Sequence, residues 1–165
     1  MLQIIGDTKM YDFHQDLRVD CIFPKIKVRS KKDAYKILAN ECAWKIDISP
    51  DRFLSALLQN DEENNPVVGD GIAIPHLKLP DIKCRLKALM TFEEPVLFSG
   101  DGDAPVTILC LLVSPAIEGP AHLRRLARVS RLLRSRELQE NLRVAKDEQA
   151  IKSLLALPEE WNMAA

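Results

Sequence analysis

Three histidines, four cysteines and an acidic glycine turn are the groups in this chain with the clearest chemistry to offer. His76 lies near the end of Val68-Gly69-Asp70-Gly71-Ile72-Ala73-Ile74-Pro75-His76-Leu77. The two glycines permit backbone angles and close approaches that a side chain would forbid. Ile72, Ala73 and Ile74 read as a short buried strand. Pro75 fixes its own φ and holds Ile74 out of the helical region, so His76 is expected at a stiff strand end. A histidine presented in this way is either a core or turn residue or the reactive group of a site. His122 follows Glu118-Gly119-Pro120-Ala121, a helix start, and by itself reads as a helix surface residue. His14, with Asp12 and Asp16 close by, reads as a surface residue too. Cys21, Cys42, Cys84 and Cys110 form neither a CxxC pair nor a cluster with histidines, and are expected to be reduced and mostly buried. Gly100-Asp101-Gly102-Asp103 resembles the start of a calcium loop, but no later residues complete an EF-hand ligand set.

The elements that must hold these groups alternate between two periods. Ile26 and Val28 alternate with Lys25, Lys27 and Arg29, as in a half-buried strand. Ser30 caps a helix over residues 31–46, whose apolar face is Ala34, Ile37, Leu38, Cys42 and Ile46. Ser49-Pro50 starts a second helix with a stripe of Phe53, Leu54, Leu57 and Leu58. The stripe stops at Gln59, and residues 60–66 read as a polar loop. A strand is expected from Leu86 through Phe92, broken by Glu93-Glu94-Pro95. Val106 to Val113 is the most hydrophobic stretch and has no period, which suggests a central strand buried on both faces. Such a strand needs helices above and below it. Leu126, Val129 and Leu133 extend the His122 helix, and Ser135 and Asp147 cap two shorter ones. Residues 1–11 read as an N-terminal arm and residues 158–165 as a C-terminal tail that Trp161 anchors. The expectation is one α/β domain over residues 12–157, a mixed sheet flanked by helices.

The 165 residues, with 47% hydrophobic and 28% charged types, match an ordinary globular protein with a sizeable core. Twenty-three Lys and Arg against 24 Asp and Glu leave a formal net charge of -1, which gives no support for a nucleic-acid partner. The first residues lack the basic and apolar regions of a signal peptide, and the run from Ile108 to Val113 is too short to span a bilayer. No membrane insertion and a cytoplasmic location are therefore expected.

Gly69-x-Gly71-Ile72-Ala73-Ile74-Pro75-His76 is similar to the phosphorylation-site motif of the fructose/mannitol-type IIA domains of the bacterial phosphotransferase system, including their nitrogen-regulatory branch. Leu57-Leu58, His122-Leu123 and the helical last third also sit where that family would place them, so the resemblance covers roughly residues 12–157. It implies a single α/β domain that takes a phosphoryl group from an HPr-type phosphocarrier onto His76. It also implies that His122 orients and stabilises that group. Neither cofactor nor metal is implied, since a neutral imidazole is itself nucleophilic near neutral pH. With no fused IIB or membrane domain, the chain resembles the free-standing regulatory members. Their phosphorylation state controls targets such as potassium-transport proteins and sensor kinases.

One stretch departs from the family pattern. Members usually carry an Arg-Glu pair where this chain has Asn60-Asp61, followed by a Ser/Thr-Gly segment where it has Asn64-Asn65-Pro66-Val67. Asparagine lacks the charged fork with which arginine binds phosphoryl oxygens. Lys78, two residues beyond His76, and Arg124 and Arg125, after His122, are the cations that could substitute. Each also has a plainer reading: Lys78 as a solvated strand end, the arginines as a solvated helix face. Two functions follow: a phosphorylated regulatory protein, or a IIA-like interaction module that is phosphorylated poorly or not at all.

Overall fold

The computed structural model describes residues 19–100 and 102–156. The expectations for His14, for the arm over residues 1–11 and for Trp161 and its tail fall outside these residues. The elements run β1 (Cys21–Ile26), α1 (Lys31–Cys42), α2 (Pro50–Glu63), β2 (Val67–Gly69), β3 (Ile72–Ala73), β4 (His76–Leu79), β5 (Leu86–Val96), β6 (Val106–Pro115), α3 (Pro120–Leu133), α4 (Arg136–Val144) and α5 (Glu148–Leu155). Short 3₁₀ turns follow α1 (Ala43–Ile46) and β6 (Ala116–Glu118).

Four helices begin where the caps predict. Ser30, Ser49, Ser135 and Asp147 accept the backbone N–H three residues on, at 3.1, 3.2, 3.2 and 2.8 Å. Each bond satisfies one of the donors a helix start leaves open.

The strands form one mixed sheet in the order β1-β5-β6-β3-β2, with β4 also pairing to β6. β6 is the central strand, antiparallel to β5 and parallel to β3 and β4. Its side chains divide between two cores. Leu109, Leu111 and Val113 face α1 and α2, where they meet Tyr35, Leu38, Phe53 and Leu57. Ile108, Cys110 and Leu112 face α3, α4 and α5, where they meet Val129, Leu133, Leu142 and Ile151. Burial on both faces explains why this strand reads as an unbroken apolar run.

Several expected boundaries move. The first strand lies upstream, at Cys21–Ile26, and shifts register between Phe23 and Ile26, where Lys25 has a positive φ of 52°. The first helix tightens into its 3₁₀ turn after Cys42 instead of staying α-helical to residue 46. β5 runs through Glu93-Glu94-Pro95 to Val96, because a register shift between Thr91 and Val96 accommodates the exposed segment containing the proline. The second helix extends to Glu63, so Asn60 is helical and not in a loop. That last turn carries no apolar stripe. Its hold is polar: Asp61 accepts from the Tyr35 hydroxyl at 2.7 Å and pairs with Lys31 at 3.0 Å. Burial and the Asp61 charge push the Tyr35 hydroxyl pKa upward, so it remains a donor. The thiols also differ from expectation: all four are free, but only Cys42 and Cys110 are buried, and Cys84 is exposed.

Gly71 sets up the turn into β3. Its φ is +74°, its carbonyl accepts from Thr107 at 2.8 Å, and an added Cβ would lie 3.0 Å from the Pro105 carbonyl oxygen. Backbone on that side cannot rotate away as a side chain could. Gly71→Ala is therefore expected to lower unfolding stability by about 1–3 kcal/mol, read from urea denaturation.

Candidate active site

Pro75 interrupts the strand without ending it. Pairing with β6 begins at Ile72 and Ala73, opposite Ile108 and Leu109. It resumes at His76, opposite Leu112, and continues to Leu79, opposite Pro115. Between the two segments the Pro75 carbonyl accepts from Leu112 N–H at 3.0 Å. His76 thus opens a new strand segment, where a strand end was expected, because proline lost only a donor and kept its acceptor. Leu77 belongs to the core under α1 and α2. By strand alternation, His76 and Lys78 point to the opposite face, the one that α3 covers.

His122 comes from the first turn of α3. Gly119, at φ +53°, and Pro120 turn the chain into the helix, and His122 N–H bonds back to the Gly119 carbonyl at 3.3 Å. The two rings meet: His76 Nδ1 lies 3.2 Å from His122 Nε2, with ring centroids 5.4 Å apart and planes tilted by 39°. His76 is half-buried, whereas His122 is 2% exposed and so is part of the interior.

Behind His122 runs a polar chain of which the sequence reading named only Arg125. His122 Nδ1 lies 2.7 Å from the Ser114 hydroxyl, which also accepts from Arg125 Nη2 at 2.6 Å. Arg125 pairs with Glu118, and Glu118 accepts from Arg85 Nε at 2.6 Å. Burial would raise the Glu118 pKa, but hydrogen bonds from the two arginines outweigh it and hold the carboxylate below its usual range. The one signal in the sequence was a hydroxyl near the end of the most apolar run. Nothing in the spacing showed that Glu118 or Arg85 would meet it.

The other candidate residues fare differently. Lys78 is exposed, pairs in register with Ser114, and adds a repelling charge at His122. Arg125 joins the site through Ser114. Arg124 is exposed, and no described bond links it to either histidine. Asn60 sits in the last turn of α2, and α2 packs against the other face of the sheet. Its carbonyl accepts from Asn64 N–H at 2.9 Å, and no described bond joins its side chain to the histidines.

Both imidazoles are pushed toward the neutral form. Burial lowers the His76 pKa. Burial, then the charges of His76, Arg125 and Lys78, lowers that of His122 to about 4. With one proton per ring, one of the two facing nitrogens donates and the other accepts. His76 Nε2 has no described hydrogen-bond partner. The arrangement therefore provides a neutral imidazole with one ring nitrogen held and the other free.

A histidine with a depressed folded-state pKa takes up its proton more readily in the unfolded chain. The stability it contributes is full above pH 6.5 and falls as pH drops from 6.5 toward about 4. An NMR titration is expected to place the His122 transition near pH 4. The stability loss across that window is expected to shrink in His122→Gln.

Comparison with known proteins gives a consistent set. The profile for "Phosphoenolpyruvate-dependent sugar phosphotransferase system, EIIA 2" matches residues 16–157. A nitrogen regulatory protein of Bradyrhizobium diazoefficiens is 37% identical over 139 residues, covering 84% of this chain and 91% of the relative. Another, from Escherichia coli, is 27% identical over 140 residues, covering 84% and 86%. The fold is similar to the crystal structure of nitrogen regulatory protein IIA-Ntr from Neisseria meningitidis, with TM-score 0.78, 21% identity, and coverage of 86% of this chain and 97% of that one. It is also similar to that of IIA mannitol from Escherichia coli, with TM-score 0.69, 19% identity, and coverage of 82% and 95%.

Proposed function

This chain belongs to the EIIA type-2 family of the phosphoenolpyruvate-dependent sugar phosphotransferase system, and we propose that it is a regulatory member whose His76 accepts a phosphoryl group from an HPr-type phosphocarrier. The observation that carries this reading is the histidine pair, with Nδ1 of His76 facing His122 at 3.2 Å and Nε2 left open. Nδ1 then carries the proton, and the lone pair on Nε2 attacks phosphorus. The Nε2–P bond forms as the bond from phosphorus to the donor breaks, and the donor keeps that electron pair. The imidazole develops positive charge as it attacks, and the Nδ1–H bond to His122 Nε2 strengthens in response.

The strand supplies further support. The Pro75 carbonyl faces β6, so alternation turns the N–H groups of His76 and Lys78 to the other edge of β4, where no described strand pairs. Backbone donors at that edge and the Lys78 ammonium suit the equatorial phosphoryl oxygens. No helix among the described residues is long and apolar enough to cross a membrane. We place the protein in the cytoplasm, where its phosphorylation state sets its binding to targets such as potassium-transport proteins or sensor kinases. A structural neighbour at 17% identity and TM-score 0.67 is a complex of enzyme IIA mannitol with phosphorylated enzyme IIB mannitol from Escherichia coli. In that complex the same fold docks a phosphorylated protein, as the proposal requires here.

A second reading has an observation of its own. Asn60 replaces the arginine of the family pattern and has no described bond to the histidines, which favours an interaction module that is phosphorylated poorly. Intact-mass measurement after incubation with phosphoenolpyruvate, enzyme I and the phosphocarrier separates the two. One added phosphoryl group on the wild type and none on His76→Ala is the expected result. No added mass, under conditions that label a standard family member, would leave the interaction module as the function.

A further inference from the structure

We propose that the outer face of α3 is a docking surface for an acidic segment of a partner protein, held by Arg124, Arg131 and Arg134. Residues 120–136 carry six arginines and no aspartate or glutamate. The whole chain has 23 basic and 24 acidic side chains, so its positive charge is gathered here and the remainder is acidic. The helical period puts Leu123, Arg124, Ala127, Arg131 and Arg134 on one face, Arg134 keeping helical angles as the C-cap. All five are exposed, whereas His122, Val129 and Leu133, on the inner face, are buried.

Little of this charge serves the fold. Arg125 turns inward to Ser114 and Glu118, but Arg124, Arg131 and Arg134 have no ion pair among the described residues. Like charges three or four residues apart weaken a helix, and Arg131 with Arg134 and Arg124 with Arg128 have those spacings. The helix dipole favours cations at the C-terminal end, where Arg131 and Arg134 sit, but not at Arg124.

The stripe and its neighbours specify the partner. A guanidinium binds a carboxylate through a charged fork, so the stripe selects an acidic surface. The helix rises about 15 Å from Arg124 to Arg134, and the carboxylates must be spread over about that length. At the end nearest the histidines Leu123 is 59% exposed, and Ile117, in the turn before α3, is 95% exposed. Protein interfaces combine apolar side chains with arginine, whereas a phosphate backbone offers nothing to leucine or isoleucine. A lipid surface would need the apolar face of α3, but Val129 and Leu133 are turned into the core. At the far end Arg134 lines an open cleft with Arg136, Arg143, Asp70 and Glu140, and the two acids close the stripe. Docking here does not depend on phosphorylation of His76, so the proposal stands under either functional reading.

The test is fluorescence anisotropy on the full chain, with a labelled helical peptide as the probe. The peptide carries glutamates along one face and leucines at one end, and a scrambled peptide of the same composition is the control. The wild type is expected to prefer the patterned peptide, with affinity falling as salt is raised. Arg124→Glu, Arg131→Glu and Arg134→Glu together are expected to weaken binding about tenfold or more. Arg29, Lys32 and Lys36 are exposed at the start of α1, on the other side of the sheet. Reversing those three to Glu changes the net charge equally and is expected to leave the affinity within about twofold. A Gln triple at the three α3 sites is the milder variant, expected to lose affinity in the same direction, and circular dichroism checks that the helix persists. Leu123→Ser is also expected to weaken the patterned peptide. Equal loss from the two Glu triples overturns the proposal, because net charge alone would then account for binding. No preference for the patterned peptide overturns it too, as does tighter arginine-dependent binding to duplex DNA or to phosphatidylglycerol vesicles.

Discussion

Parallel pairing of one interrupted strand with β6, from Ile72 opposite Ile108 to Leu79 opposite Pro115, sets the direction of the side chains that matter here. The side-chain period of a strand is two, so slipping this register by one residue would move His76 and Lys78 to the α1–α2 side. Leu77 would take their place against α3. Both faces of the sheet are buried, and the apolar sets on β6 divide cleanly between two cores, so the register is strongly specified. The Pro75 carbonyl bond to Leu112 carries the pairing across the one residue that cannot donate. Gly71 closes the other end, its carbonyl accepting from Thr107 and its lack of a side chain letting the Pro105 carbonyl approach.

The site is a neutral pair backed by charge. Ion pairs at exposed positions contribute little, but Arg125 is 12% exposed and Glu118 is 18% exposed, so their link is less screened than a surface bridge. Together with Arg85 they place two cations and one anion behind His122. Burial first, and then the Arg125 charge among others, keeps His122 unprotonated against the opposing pull of Glu118, and Ser114 is the neutral contact between the charges and the ring. Arg125, on α3, and Arg85, on the approach to β5, connect to His122 through Glu118 and Ser114.

Much of this was legible in residue order. Caps at Ser30, Ser49, Ser135 and Asp147, the two-sided apolar run of β6 and the motif around His76 are local signals, and each has a local physical cause. What misled was also local. The polar residues 60–63 read as loop because an exposed helical turn needs no apolar stripe, and its tie to Tyr35 and Lys31 crosses from another helix. Glu93-Glu94-Pro95 read as a break because an isolated strand gives no hint that a register shift can accommodate it.

The sequence by itself determined that an α/β layered domain forms and that His76 emerges from a proline-stiffened strand, since periodicity and backbone restriction act over a few residues. The residue pattern alone left His122 on a helix surface, the family resemblance implied a place beside His76, and the tertiary structure set the two rings against each other. The two are 46 residues apart, and a helix face that reads as surface becomes interior when it packs on the sheet. Only the tertiary structure decided the places of Ser114, Glu118 and Arg85, whose bonds join the end of β6, the turn after it and the approach to β5. Hydrogen bonds of that kind depend on distances in space, and residue spacing along the chain does not encode them.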